Sequence, residues 1–372
     1  MKQRVMMIAG EASGDLHGAG VVRELKRRNP SMDIFGIGGD KMQKEGMTLT
    51  YHVRETSFMG FVEVAKHLPL IRSIEKTLEQ LLILKKPDVV VLIDYPGFNL
   101  RFAGIAKKHG IKVVYYISPQ VWAWKKGRVK KMSGTIDMML VVFPFEVPIY
   151  QKENIPVQFV GHPLVEEMQD VMTKEQFMKR YDLDPAKKFI AVIPGSRKQE
   201  IENLFSVMVR SAAVLAEEGK EVVVAVAPNL SMDVYRQHLP MNANVKFIQH
   251  ATHEVMKYAE FAFVTSGTAT LETACVGTPM IVVYKTSRIT YWIARFVVKI
   301  KNISLVNIVA EKTIVPEMIQ GNVTVDSLVK EAKGILNSPE QYSVMKDELN
   351  IVRQKLGSVG ASANVAEAIL AV

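Results

Sequence analysis

The strongest constraint on this chain is the alternation of two spacings along it. Short runs of β-branched and other apolar residues, RVMMIA at 4–9, VVVLI at 89–93, VVYYI at 113–117 and MMLVVF at 138–143, are separated by longer amphipathic stretches. A second series follows: FIAVI at 189–193, VVVAVA at 222–227, VKFI at 245–248, AFVT at 262–265 and MIVVY at 280–284. Runs that are apolar at nearly every position suit strands covered on both faces, and the amphipathic stretches supply the cover. An α/β fold with two doubly wound parallel sheets follows. A chain of 372 residues also exceeds the size at which one core usually stops growing. Between the two series, FVGHPLVEEM at 159–168 carries Gly161 and Pro163 with no strand run after it, and is the expected hinge. The expected division is a Rossmann-like N-terminal domain, 1–163, and a Rossmann-like C-terminal domain, 164–344. A helix at about 345–372, broken at GSVGAS (357–362), is expected to pack back on the first domain. The two domains are expected to face each other across a cleft that holds the ligands.

Open parallel sheets bind ligands beyond the carboxyl ends of their strands, so the loops after the apolar runs are where a site is sought. In FIAVIPGSRKQEIENL, Pro194, Gly195, Ser196 and Arg197 fall where a strand gives way to a helix. Arg197 there would stand beside free backbone N–H groups, a combination suited to an anion. VTSGTATLETACVGTPMIVV at 264–283 repeats the pattern. Ser266, Gly267 and Thr268 leave room for close backbone approach, and the following helix would aim its N-terminus at a phosphate. Glu272 lies four residues past Thr268, about one helical turn, and its carboxylate could accept both hydroxyls of a ribose. Either loop alone is equally well an ordinary strand-to-helix turn; together they point to a nucleoside diphosphate.

The first half has its own glycine-rich loop, AGEASGDLHGAGVVREL at 9–25. It departs from GxGxxG, and Glu11 and Asp15 would repel a pyrophosphate, so a neutral, hydroxyl-bearing partner suits it better. His17 is either a base or a hydrogen-bonded structural residue in the first turn of a helix. VVVLIDYPGFNLRFA places Asp94 at the mouth of the next strand, where it is a candidate general base or, equally, a helix N-cap.

The charge balance, 47 Lys+Arg against 38 Asp+Glu, gives +9 and fits nucleic acid, an anionic membrane or phosphorylated substrates. SPQVWAWKKGRVKKM (118–132) sets Trp122 and Trp124 among cations, and TYWIARFVVKIKNI (290–303) does the same with Tyr291 and Trp292. MGFVEVAKHLPL (59–70) adds an apolar strip with Met59, Phe61 and Val62. Aromatic and cationic residues together suit a headgroup interface and the strip could take acyl chains, although each stretch also reads as a core-packed helix. No recognised nucleic-acid module accompanies them, so nucleic acid is not an expected partner. No segment approaches the roughly 18 apolar residues of a membrane span, and the first apolar run is too short for a signal peptide. The one cysteine, Cys275, forms no internal disulfide and reads as an inert buried thiol in a reducing compartment, with the cytoplasm expected. YDLDP (181–185) has an Asp-x-Asp spacing that can hold a divalent cation beside a diphosphate. It closes an amphipathic helix and reads better as a solvated turn, so no metal is expected. Charge on a leaving diphosphate would then fall to Arg197 and a helix terminus.

In order along the chain, GEASGD, MGFVEV, IDYPGFN, SPQVWAWK, FVGHPL, PGSR, SGTATLE and SLVNIVA (304–310) resemble the motifs of the lipid-A-disaccharide synthase family, from about residue 5 to about 320. The resemblance implies a GT-B architecture and an inverting, metal-independent transfer with no cofactor. It joins UDP-2,3-diacylglucosamine to 2,3-diacylglucosamine 1-phosphate, giving a β-1,6 disaccharide and UDP at the cytoplasmic face of a Gram-negative inner membrane. It implies UDP-binding positions at Arg197 and Glu272, further donor-side positions at Asn307 and Gln320, and the base at Asp94. Two departures stand out: Gly97 where the family usually has an acidic residue, and Val306 where it has proline. The first leaves Asp94 as the single carboxylate of its loop, with Glu11, Asp15 and His17 as the other base candidates. Rival readings are a UDP-amino-sugar 2-epimerase, the peptidoglycan GlcNAc transferase, and a non-catalytic nucleotide-sugar or lipid-binding protein.

Overall fold

The computed structural model describes residues 3–56, 67–121, 127–169, 171–217, 219–286 and 302–372. The chain divides into two compact units, Met1–Glu166 with Leu356–Val372, and Glu167–Lys355.

Unit 1 is built on a seven-stranded parallel sheet. Its strands are β1 (Arg4–Ala9), β2 (Asp33–Gly38), β3 (Thr48–His52), β4 (Val89–Ile93), β5 (Lys112–Tyr116), β6 (Met138–Val141) and β7 (Val157–Phe159), in the order β3-β2-β1-β4-β5-β6-β7. β4 is buried at every position and β1 at all but its first, which is why these runs carry no polar alternation. The chain leaves β1 for β2 on one side, then returns to place β4 on the other. Between β1 and β4 is therefore the switch point where such sheets bind ligands. Two helices open at that edge. Ala12–Arg28 buries Val21, Val22 and Leu25 and ends on Lys26, Arg27 and Arg28, cations that suit a helix C-terminus. Pro96–Lys108 starts with proline in its first turn and stacks Phe98 on Phe102 beneath the sheet edge.

Unit 2 is a six-stranded parallel sheet of β8 (Phe189–Ile193), β9 (Glu221–Val226), β10 (Lys246–Gln249), β11 (Phe261–Thr265), β12 (Met280–Tyr284) and β13 (Glu317–Ile319), in the order β10-β9-β8-β11-β12-β13. Here the switch point lies between β8 and β11, which pair through Ile193 and Val264.

Four strands, β2, β3, β7 and β13, are not announced by an apolar run. β3, β7 and β13 are sheet-edge strands with half-buried residues, so their sequences lack the all-apolar character of central strands. β2 is central but contains glycine. Gly36 has φ +137°, and a Cβ there would lie 2.1 Å from the Met7 carbonyl oxygen, so only glycine lets β2 pair closely with β1.

The C-terminal segment breaks within the 357–362 stretch, and its two helices go to different units. Pro339–Lys355 stays with unit 2, burying Met345, Leu349 and Val352, and the chain breaks at Gly357 and Gly360, both at positive φ. The last helix, Ala361–Ala371, then packs on Ala12–Arg28 in unit 1. Glu166 holds its start by accepting from the Gly360 and Ser362 N–H groups and the Ser362 hydroxyl.

Candidate active site

The mouth of β1 and β4 collects three of the four base candidates. Asp94 follows β4 directly and is partly buried. Burial and the neighbouring Glu11 carboxylate push its carboxyl up to about 6, while the Tyr95 N–H and His17 pull it back. Glu11 sits at the N-cap position of the helix Ala12–Arg28, with extended backbone and no side-chain cap bond, and its charge is felt at Asp94. Gly10 lies flat against the Tyr95 ring, where a Cβ would come within 2.2 Å of ring carbons, so no other residue fits between Ala9 and Glu11.

The fourth candidate, Asp15, is not part of this cluster. It is 5% exposed, and its carboxylate accepts from the N–H groups of Gly39 (2.7 Å), Met42 (3.0 Å) and Lys41 (3.2 Å). It serves as a remote N-cap for the helix Asp40–Lys44, a structural task.

In unit 2, the loops after β8 and β11 touch. A Cβ on Gly195, whose φ is +105°, would lie 3.0 Å from Thr265 Cγ2. PGSR and SGT therefore sit side by side at one sheet edge, with Arg197 exposed above them. The backbone N–H groups beside Arg197 are not free, as the strand-turn-helix reading expected. Glu200 turns back to accept from Ser196 N (3.0 Å) and Arg197 N (3.1 Å), a capping arrangement that stiffens the turn. Glu200 Oε1 also lies 3.8 Å from Arg197 Nη1, and Asn229 donates to the Ser196 carbonyl. The helix Thr268–Cys275 begins at Gly267 without a side-chain cap. Glu272 on that helix approaches His253 Nε2 at 3.4 Å, and this bond raises the His253 pKa against the opposing effect of burial.

Asn307 and Gln320 are both engaged in hydrogen bonds within unit 2. Asn307 is fully buried; its amide donates to the Val315 carbonyl and Glu317, and its oxygen accepts from the Ile314 and Val315 N–H groups. Gln320 exchanges two hydrogen bonds with the Thr286 backbone. Glu317, which the sequence reading passed over, joins them by accepting from the N–H groups of Ile303 and Ser304, the Ser304 hydroxyl and Asn307. In YDLDP, Asp184 accepts from Ala186 N–H and faces Lys187 in an ordinary turn.

Against known proteins, the sequence pattern of lipid-A-disaccharide synthetase matches residues 5–369. The chain belongs to the lipid-A-disaccharide synthase family. It is 40% identical to the lipid-A-disaccharide synthase of Geobacter sulfurreducens over 370 residues, covering 99% of this chain and 96% of that protein. Against the lipid-A-disaccharide synthase of Coxiella burnetii strain CbuG_Q212 it is 37% identical over 367 residues, covering 98% and 97%. Among solved structures, UDP-GlcNAc 2-epimerase from Neisseria meningitidis bound to UDP-GlcNAc superposes with TM-score 0.67 at 15% identity, covering all of both chains. The calicheamicin glycosyltransferase CalG4 gives 0.65 at 16% identity, covering 100% of this chain and 98% of its own. At such identities these two speak for the fold alone, and that fold is the GT-B type. As a lipid-A-disaccharide synthase family member the chain is a glycosyltransferase that forms the lipid A disaccharide, and the epimerase and non-catalytic readings are not favoured.

His253, Glu200 and Glu317, which pair with Glu272, the Ser196 and Arg197 N–H groups and Asn307 respectively, are not among the residues expected from the sequence. Only Glu200 had a local signal, lying three residues past Arg197 at the spacing of a capping box. Met59, Phe61, Val62, Trp122, Trp124, Tyr291 and Trp292, expected to face lipid, lie outside the described residues. Cys275 is 5% exposed with its thiol pushed up to about 12 by burial, in keeping with an inert group. Among the described residues, no helix is long and apolar enough to cross a membrane.

Proposed function

We propose that the chain transfers the sugar of UDP-2,3-diacylglucosamine to the 6-hydroxyl of 2,3-diacylglucosamine 1-phosphate, with inversion, giving a β-1,6 disaccharide 1-phosphate and UDP. Asp94 carries this reading. An ordinary aspartate, near 4, is too weak a base to help deprotonate an alcohol at neutral pH, whereas one near 6 is stronger and still ionised there. As the acceptor oxygen attacks C1, Asp94 takes its proton. The bond from C1 to the diphosphate oxygen breaks and its electron pair leaves with UDP. Arg197 offsets the charge growing on that diphosphate, supported by the uncapped helix start at Thr268. Glu272, steadied by His253, would meet the ribose hydroxyls, and the diphosphate would lie against Ser196, Gly195, Ser266 and Gly267. Glu11 and His17 set the acidity of Asp94 rather than taking the proton themselves. The chain would work as a peripheral protein on the cytoplasmic face of the inner membrane; its +9 charge supports attraction to anionic lipid.

The test is to incubate the protein with both substrates in detergent micelles and weigh the product. A disaccharide 1-phosphate is expected, and its absence from protein that binds UDP normally overturns the substrate assignment. Asp94→Asn should lower kcat by about 10²- to 10⁴-fold, with UDP affinity unchanged in a calorimetric titration. Wild-type kcat should rise with pH through about 6 as the carboxyl ionises, then level off.

A further inference from the structure

Asp94 and Tyr95 are consecutive non-glycine residues at positive φ, 47° and 49°. Left-handed backbone costs an L-residue roughly 1–2 kcal/mol, so such a pair persists only where its surroundings over-determine it. The Asp94 N–H donates to the Tyr116 carbonyl at 2.9 Å, extending the β4–β5 ladder by one bond. The Asp94 carbonyl oxygen, turned inward by the left-handed twist, accepts from Asn99 Nδ2 and from the Tyr115 hydroxyl, each at 2.7 Å. Asn99 and Tyr115 are both fully buried. The Asn99 amide also reaches the carbonyls of Ile93 (3.2 Å), the last residue of β4, and Ile8 (3.4 Å), the last but one of β1. Tyr95 is held separately, by its hydroxyl on the Thr56 carbonyl and by its ring on Gly10.

We infer that Asn99 and Tyr115 are positioning residues for the transfer reaction: together they grip the Asp94 carbonyl and lock the left-handed turn that keeps its carboxylate beside Glu11 and His17. Both bonds fall on the Asp94 main-chain carbonyl, so they act on the carboxylate through the peptide. With the carbonyl held by two buried donors, rotating that peptide into an ordinary extended exit would strip it of both partners and break the Tyr115 and Asn99 bonds to it in the core. The inference rests on the reading of Asp94 as the base.

Tyr115→Phe, which deletes one hydroxyl and keeps the ring, is the primary variant; Asn99→Ala and the double variant accompany it. Each is made in the full chain and compared with wild type and Asp94→Asn for kcat at saturating substrates, UDP affinity, thermal melting and the pH dependence of kcat. The groups facing Asp94 are Glu11 and His17 from the β1 side, Tyr95 on its own loop, and Tyr115 and Tyr116 from β5. A released carboxylate would move away from Glu11 and towards water, so the acid limb of kcat should shift below 6. The expected result is a kcat loss of about threefold to tenfold for Tyr115→Phe and up to about 10²-fold for the double variant, the scale of an ångström-level misplacement. UDP affinity, a unit 2 property, should stay within about twofold. Tyr115→Phe protein that melts like wild type, with unchanged kcat and an unmoved acid limb, overturns the positioning role while an inactive Asp94→Asn leaves the base reading standing. Normal turnover by Asp94→Asn removes the base reading, and the inference falls with it.

Discussion

Asp94 carries a stability cost that follows from its chemistry. Its carboxyl is raised from 3.8 to about 6, so the fold prefers the protonated form more than the unfolded chain does. Below pH 4 both states hold the proton and nothing is lost. Between 4 and 6 the unfolded chain ionises first, and above 6 the folded protein carries the full disadvantage, about 1–3 kcal/mol for a shift of this size. Asp94→Asn is therefore expected to be more stable than wild type at pH 8 and equal to it at pH 4, as measured by chemical denaturation. Equal stability at both would show that the carboxylate is well solvated. His253 behaves in the opposite direction. Its raised pKa means that its bond to Glu272 stabilises the fold fully below the ordinary histidine value and is lost as pH rises through the folded one. His253→Gln should cost less than about 1 kcal/mol at pH 6 and nothing at pH 9, because the pair is partly exposed.

At the scale of elements, the loop after β8 depends on one carboxylate. Glu200 satisfies two backbone donors at the start of the helix that carries it, and Gly195 can turn over it because it lacks a Cβ, which would lie 2.1 Å from Glu200 Oε2. Glu200→Ala should cost about 1–2 kcal/mol, the usual loss of a helix cap, and should weaken UDP binding by loosening the base on which Arg197 stands. Unchanged UDP affinity in a destabilised variant would show that Arg197 needs no such support. The strand-turn-helix character of this loop was legible in the sequence because apolar run, Pro-Gly and amphipathic stretch are local signals. The engagement of the Ser196 and Arg197 N–H groups has a weaker local sign, Glu200 at capping-box spacing from Arg197. Asn307 and Gln320 show a different limit. An amide has the same composition whether it bonds a ligand or the backbone, and the partners these two have within the chain, Val315 and Thr286, are residues the apolar pattern did not single out.

At the scale of the molecule, the chain makes unit 1 from two separated pieces. The last helix contributes Val365, Ala366 and Ile369 to the interior, and Gly20 allows it to lie close, since a Cβ there would be 2.3 Å from Ser362 Oγ. A chain ending at Lys355 keeps all of unit 2 and lacks this cover. It should bind UDP as the full chain does yet lose disaccharide formation, with a lower melting transition for unit 1. Each buried Val or Ile removed is worth about 1.5–3 kcal/mol. Loss of UDP binding by the truncated chain would show that unit 2 does not hold the nucleotide by itself. The sequence by itself determined the two parallel sheets, the loops at their mouths and the family, because burial on both faces of a strand and the turn chemistry after it are written in neighbouring residues. Only the tertiary structure decided which polar groups in those loops remain available for chemistry. Gly39 takes Asp15 from 24 positions away and Val315 bonds Asn307, while Glu11 and Asp94 come within reach of each other's charge because β1 and β4, whose paired residues such as Val5 and Val89 are far apart in the chain, are neighbours in the sheet. Strand order is a property of packing across long separations, and local sequence carries no record of it.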